Sequence, residues 1–153
     1  MNGKLKSDLD RLWLEFHSGG ITNPLTVIEQ ISYLMFARLL ELVERRNERK
    51  ARARARGSRA SAPIPFKRIF PESQRHLLWS NLIAVGSEER MRLLNGSPTP
   101  EETASHTKSD PWLNLLQFFR TGLKSQDQEA SAVGMLAVYF KDAQCMITKP
   151  TLV

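Results

Sequence analysis

The sequence predicts an all-α fold, a compact helical bundle of about five to seven helices with a basic, arginine-rich loop. Three observations carry that expectation. Apolar residues recur at spacings of three and four along most of the 153-residue chain, which is the helical period. Glycine, proline and short capping side chains stand between the periodic stretches. Few runs alternate as a strand would. The length suits a single domain, taken as residues 1–153.

The first element is a helix with Leu5, Leu9, Leu12, Trp13 and Phe16 on one face. Gly19-Gly20 ends it, because glycine enters the left-handed cap conformation without steric cost. Asn23 can accept a hydrogen bond from a free amide of the next helix, and Pro24 fits the first helical position. From Leu25 to about Arg49 the pattern predicts the central helix of the bundle. Ile28, Ile31, Met35, Leu39 and Leu42 form its stripe, widened by Leu34, Phe36, Leu40 and Val43, and this stripe is expected to be the stability centre.

Ala51–Ala62 alternates Ala and Arg with no apolar face, and Gly57-Ser58, Pro63 and Pro65 break it. It reads as a frayed helix end running into a mobile basic loop over 51–65. Phe66–Pro71 is expected to be extended, and Glu72–Leu82 a short helix. Ser87 is a candidate cap for a short helix Glu88–Leu94, and 97–109 reads as a loop. Asp110-Pro111 is expected to open a helix carrying Trp112, Leu115, Leu116 and Phe119, with Gly122 near its end. Glu129–Phe140 is a further amphipathic stretch. Thr148-Lys149-Pro150 looks like the opening of another helix just before Val153, so the tail is read either as a frayed end or as a sign that the chain is the front piece of something longer. Trp13, Trp79 and Trp112 are each expected in the core.

Several chemistries find no support. Cys145 is the only cysteine, which leaves no intramolecular disulfide and no cysteine-rich zinc site. His17, His76 and His106 lack metal-ligand spacing. No phosphate-cradling glycine loop occurs. The paired carboxylates Glu88-Glu89 and Glu101-Glu102 are adjacent in sequence, so on a helix the members of a pair point apart. Ser109-Asp110-Pro111-Trp112 only faintly resembles the proline-aromatic tetrapeptide of amino-methyltransferases, and it reads as a helix start. No run of about 18 apolar residues is present, so no membrane partner is expected. A cytoplasmic location is the expectation.

Charge is the informative signal. The chain holds 22 Lys and Arg against 16 Asp and Glu, a net of +6. Residues 45–59 contain eight of the cations, Arg45, Arg46, Arg49, Lys50, Arg52, Arg54, Arg56 and Arg59, with one acid, Glu48. Without that segment 14 basic and 15 acidic residues remain, a net of −1. Eight crowded cations repel one another unless a polyanion is near, and phosphate contacts release condensed counterions. These eight residues are the candidate nucleic-acid contacts.

The order of several segments resembles a known family. Leu12-Trp13 is followed by Gly20-Ile21-Thr22-Asn23-Pro24-Leu25-Thr26-Val27-Ile28-Glu29-Gln30-Ile31-Ser32-Tyr33-Leu34-Met35-Phe36. Then come Leu77-Leu78-Trp79-Ser80-Asn81-Leu82, Glu89-Arg90-Met91, Tyr139-Phe140-Lys141-Asp142-Ala143 and Ile147-Thr148-Lys149-Pro150-Thr151-Leu152. Together they resemble the N-terminal helical domain of the modification (M) subunit of type I restriction-modification systems, which are adenine-specific DNA methyltransferases. The family's cofactor-binding glycine motif and its Asn-Pro-Pro-Phe motif are absent here, so no catalytic or cofactor residue carries over.

The resemblance implies a DNA-binding and subunit-assembly module without methyl transfer of its own. Its implied partners are DNA, the specificity subunit and a second M subunit. S-adenosylmethionine is the cofactor of the full-length family, and none is expected on this chain. The rivals are an independent small basic helical nucleic-acid-binding protein and a truncated interaction partner of a full-length M subunit.

Overall fold

The computed structural model describes residues 3–57, 68–123 and 138–150. Among them the fold is all-α, and the one β feature is an isolated antiparallel bridge between Thr107 and Asp110. Helix α1 spans Gly3–Ser18 and α2 spans Pro24–Gly57; a 3-10 helix follows at Glu72–Leu77. The short helices α3 (Trp79–Leu82), α4 (Ser87–Asn95), α5 (Pro100–Ser105) and α6 (Leu115–Gln117) come next, and a π turn over Phe118–Gly122 continues α6. No described helix is long and apolar enough to cross a membrane.

The turn between α1 and α2 forms as the local residues dictate. Gly20 takes φ +87°, and the Ile21 amide reaches back to the Phe16 carbonyl at 3.0 Å, closing the left-handed cap. Asn23 Oδ1 accepts from the Leu25 amide at 2.9 Å, with Pro24 in the first helical position. Helix α2 is then 34 residues long, or about 51 Å at 1.5 Å per residue. It runs past Arg49 to Gly57, so the expected frayed end is regular helix over Ala51–Gly57, and the loop expected from residue 51 does not begin there. Ala and Arg both favour helix, and the cations suit the negative end of the helix dipole. Residues 58–65 of that expected loop, Phe66, and most of the Glu129–Phe140 stretch lie outside the described residues.

The face on which α2 packs is the main correction. Ile28 is 56% exposed, Met35 66%, Leu39 40% and Leu42 46%, and Ile31 is only half-buried. The centre of the expected core stripe therefore faces outward, while Phe36 and Leu40 at its widened edge are buried as expected. The packed face carries Val27, Gln30, Tyr33, Phe36, Ala37, Leu40, Glu41 and Glu44. The segments lying on it are mostly short helices and irregular chain, whose backbone amides and carbonyls need partners. Polar side chains of α2 supply them. Gln30 donates to the Gln144 carbonyl and accepts from the Met146 amide, both at 2.9 Å. The Tyr33 hydroxyl donates to the Leu94 carbonyl at 3.2 Å. Glu41 accepts from the Ser80 amide at 3.0 Å and Glu44 from the Phe70 amide at 2.9 Å. Between these bonds the core closes with aromatic rings. Phe119 meets Tyr33 and Phe36 edge-on at 5.1 and 4.9 Å, and Phe70 stacks on Phe118 at 4.9 Å.

Four smaller expectations are also revised. Trp13 is 38% exposed and anchors no core, whereas Trp112 is buried and Trp79 half-buried. Residues 100–105 within the expected loop form α5, because Thr99 and Glu102 make a reciprocal capping box. Gly86, not Ser87, occupies the cap position of α4. Asp110-Pro111 does not open a helix. Asp110 accepts from the Ser73 hydroxyl at 2.7 Å, and Asn114 caps α6 together with Gln117.

Candidate nucleic-acid interface

Seven of the eight candidate cations fall on the last turns of α2, from Arg45 to Arg56, and all seven are exposed. Arg59 lies outside the described residues. At 100° per residue, Arg45, Arg49, Arg52 and Arg56 form one stripe, and Arg46, Lys50 and Arg54 a second beside it. Together they cover roughly 200° of the helix circumference. Glu48 and Ala51 are half-buried, and beyond them every described residue of α2 is exposed. The basic end therefore projects from the body by nearly two turns, about 9 Å.

Two cations are engaged. Arg45 pairs with Glu41 and Arg52 with Glu48, the latter at 2.8 Å, each four residues apart. Among the described residues, Arg46, Arg49, Lys50, Arg54 and Arg56 take no acid partner. Long cationic side chains without partners on an exposed helix are free to reach phosphate oxygens.

The base of this projection is fixed by the two buried acids of α2. Glu44 holds the Phe70 amide and is flanked by Arg75 at 3.7 Å and Arg68 at 3.9 Å. Burial raises its pKa above the usual carboxylate range, against the lowering effect of the Phe70 amide and the two guanidinium groups. Glu41 holds the Ser80 amide and meets Arg38 at 3.3 Å besides Arg45. Arg38, Arg68 and Arg75 keep roughly 36 to 44% of their side chains exposed. They add positive surface where the projection leaves the body. Reading the charge run alone misses these three, since they are scattered in sequence and meet only through the two buried acids.

A second charged cluster serves packing. Glu89 and Glu102, one from each of the paired carboxylates, converge on Arg92, at 2.8 Å to its Nε and to its Nη1. The side-chain bonds from Arg92 hold Glu102 down to a pKa of about 2. The guanidinium also lies 5.3 Å from the centre of the Trp112 ring, which stacks on His76 at 5.5 Å. These contacts tie α4 to α5 and to the segment before α6. No group of His, Cys, Asp and Glu suited to a metal ion occurs among the described residues. Cys145 is half-buried beside the Phe16–Ile147 cluster, and burial pushes its thiol pKa up, which makes it a poor nucleophile.

Residues 5–151 match the family model described as the HsdM N-terminal domain. No curated protein and no solved structure gives a significant match.

Proposed function

The chain belongs to the HsdM N-terminal domain family, the helical N-terminal module of the type I restriction-modification M subunit, and from that premise we propose that it binds DNA through the basic end of α2 and assembles with the specificity subunit and a second M subunit. The observation that carries the DNA half is the projecting end of α2, with five exposed cations lacking an acid partner among the described residues. Such contacts are to phosphate, so binding is salt-sensitive and blind to sequence.

With about four to six side chains on phosphates, log affinity falls with log salt at a slope of roughly −4 to −5. Replacing Arg52, Arg54 and Arg56 together by Ala flattens that slope by about two to three units on two unrelated duplexes alike. Helical content should hold, because Ala is the best helix former. Identical slopes for the native and triple-Ala chains refute the DNA contact. The chain by itself is proposed to carry out no methyl transfer and not to bind S-adenosylmethionine. Saturable one-to-one binding in a calorimetric titration refutes that part.

A further inference from the structure

The outward face of α2 forms one wall of an open groove of about 620 Å³. Ile31, Met35, Leu39 and Leu42 line that wall, Leu12 and Phe16 of α1 face it, and Trp79 and Phe140 close one side. The apolar surface continues beyond the groove to Ile28 on α2 and to Leu5, Leu9 and Trp13 on α1, all at least 38% exposed. From Ile28 to Leu42 the face runs about 21 Å. That is longer than a small molecule needs and matches four turns of a helix laid alongside. A contiguous exposed apolar face of this kind marks a site of interaction.

Charge identifies the occupant. Spacings of three and four carry the line Ile28, Ile31, Met35, Leu39, Leu42 directly into Arg46, Arg49 and Lys50, three of the five cations that lack an acid partner among the described residues. The apolar wall and the cations are one continuous face.

We propose that this face receives an amphipathic helix of a partner subunit, antiparallel to α2, whose apolar residues fill the groove and whose N-terminal turns carry carboxylates against Arg46, Arg49 and Lys50. Acids at a helix N-terminus suit its dipole, and the antiparallel arrangement sets them beside the cationic end of α2. A second copy of this chain fits less well. In parallel apposition the three cations would meet their own copies. In antiparallel apposition centred on Met35 they would lie over the uncharged stretch 20–25. The inference deepens the assembly half of the proposed function and rests on it; with the partner helix seated, Arg46, Arg49 and Lys50 are withdrawn from phosphate and Arg52, Arg54 and Arg56 at the tip remain for DNA.

The probe is a synthetic labelled peptide with Glu in its first two turns and Leu on one face of the next four. Its controls are the same peptide with Lys for Glu and a scramble without an apolar face. Anisotropy with the full chain should give saturable binding of the Glu peptide, about tenfold tighter than the Lys peptide, and none of the scramble. The chain carrying Met35→Glu and Leu39→Glu, both at exposed positions, should lose the Glu peptide while keeping its circular dichroism. The chain carrying Arg46→Ala, Arg49→Ala and Lys50→Ala should bind the Glu and Lys peptides alike.

No binding of the Glu peptide overturns the proposal. So does equal binding of the Glu and Lys peptides by the native chain, or Glu-peptide binding that survives Met35→Glu with Leu39→Glu. A native dimer in sedimentation that the same double variant dissolves also overturns it, in favour of a second copy. Duplex binding by the Arg52, Arg54 and Arg56 variant reports on the DNA half alone.

Discussion

The two faces of α2 invert the usual pattern. The packed face carries Gln30, Tyr33, Glu41 and Glu44 among its apolar residues, and the open face is nearly uniform in Ile, Met and Leu. The difference teaches that helix burial follows what lies opposite. A helix packed against other regular helices meets side chains and buries an oily stripe. Here much of the packed face meets backbone. The segments at 69–80 and 144–146 present amides and carbonyls, and a buried backbone group without a partner costs more than an extra methyl group gains.

A matched pair of adjacent leucines separates the two faces most strongly. Leu40 is fully buried, so Leu40→Ala should cost roughly 2–5 kcal/mol in denaturant melts. Leu39→Ala, one residue along on the open face, should cost far less. Next in size is Gln30→Leu, which keeps the volume but strands the Gln144 carbonyl and the Met146 amide. It should cost about 2–3 kcal/mol although the site becomes more apolar; a neutral or stabilising result would mean the packed face tolerates oil after all.

Acid titration gives a smaller effect with a definite sign. Burial raises the Glu44 pKa, so the folded chain binds that proton more tightly than the unfolded chain does. The cost of keeping Glu44 ionised is present at neutral pH and is relieved as pH falls through its raised pKa and past the ordinary value of 4.5. The native chain should therefore gain stability relative to Glu44→Gln as pH falls through the carboxylate range. Glu102, away from α2, has the opposite sign. Its stabilising bonds are fully present above pH 4.5 and are lost as pH falls toward about 2, so the native advantage over Glu102→Gln should shrink with acid. Paired thermal melts across pH 3 to 7 check both, and equal pH dependence in the two variants would contradict the assigned environments.

Smallest of all is Leu39→Ala. On the open, 40% exposed face it should cost less than about 1 kcal/mol in the isolated chain. A loss equal to that of Leu40→Ala would mean the open face is packed in solution.

Those results bear on what was legible in the amino-acid order. Elements set by local chemistry were readable: the Gly20 turn, the Asn23-Pro24 start and the existence of α1 and α2. The reach of regular helix to Gly57 is not legible, because Ala-Arg alternation lacks an apolar face, though its helix propensity is high. The α5 start was visible as Thr99-Pro100-Glu101-Glu102, a capping-box spacing hidden inside a polar stretch. Asp110-Pro111 misled because a cap-and-proline pair says nothing of distant partners, and Ser73, 37 residues away, takes the Asp110 carboxylate. The inward face was illegible for the same reason. Gln30, Glu41 and Glu44 look like surface residues until the amides and carbonyls they bind are placed opposite them. Of the candidate site, the charge run itself was legible; Arg38, Arg68 and Arg75 at its base were not.

Between Leu25 and Arg56, α2 contains neither glycine nor proline, so nothing in its composition provides a hinge. The groove wall and the cationic tip are then two stations on one rod. Arg56 stands 25 residues beyond Ile31, about 37 Å along the axis. A tilt of the rod by about 10° at the groove would swing its tip by roughly 6 Å, more than the spacing between neighbouring helix turns. A partner that seats beside Met35 and tilts the rod would thereby aim the arginines, with a lever set by the length of an unbroken helix.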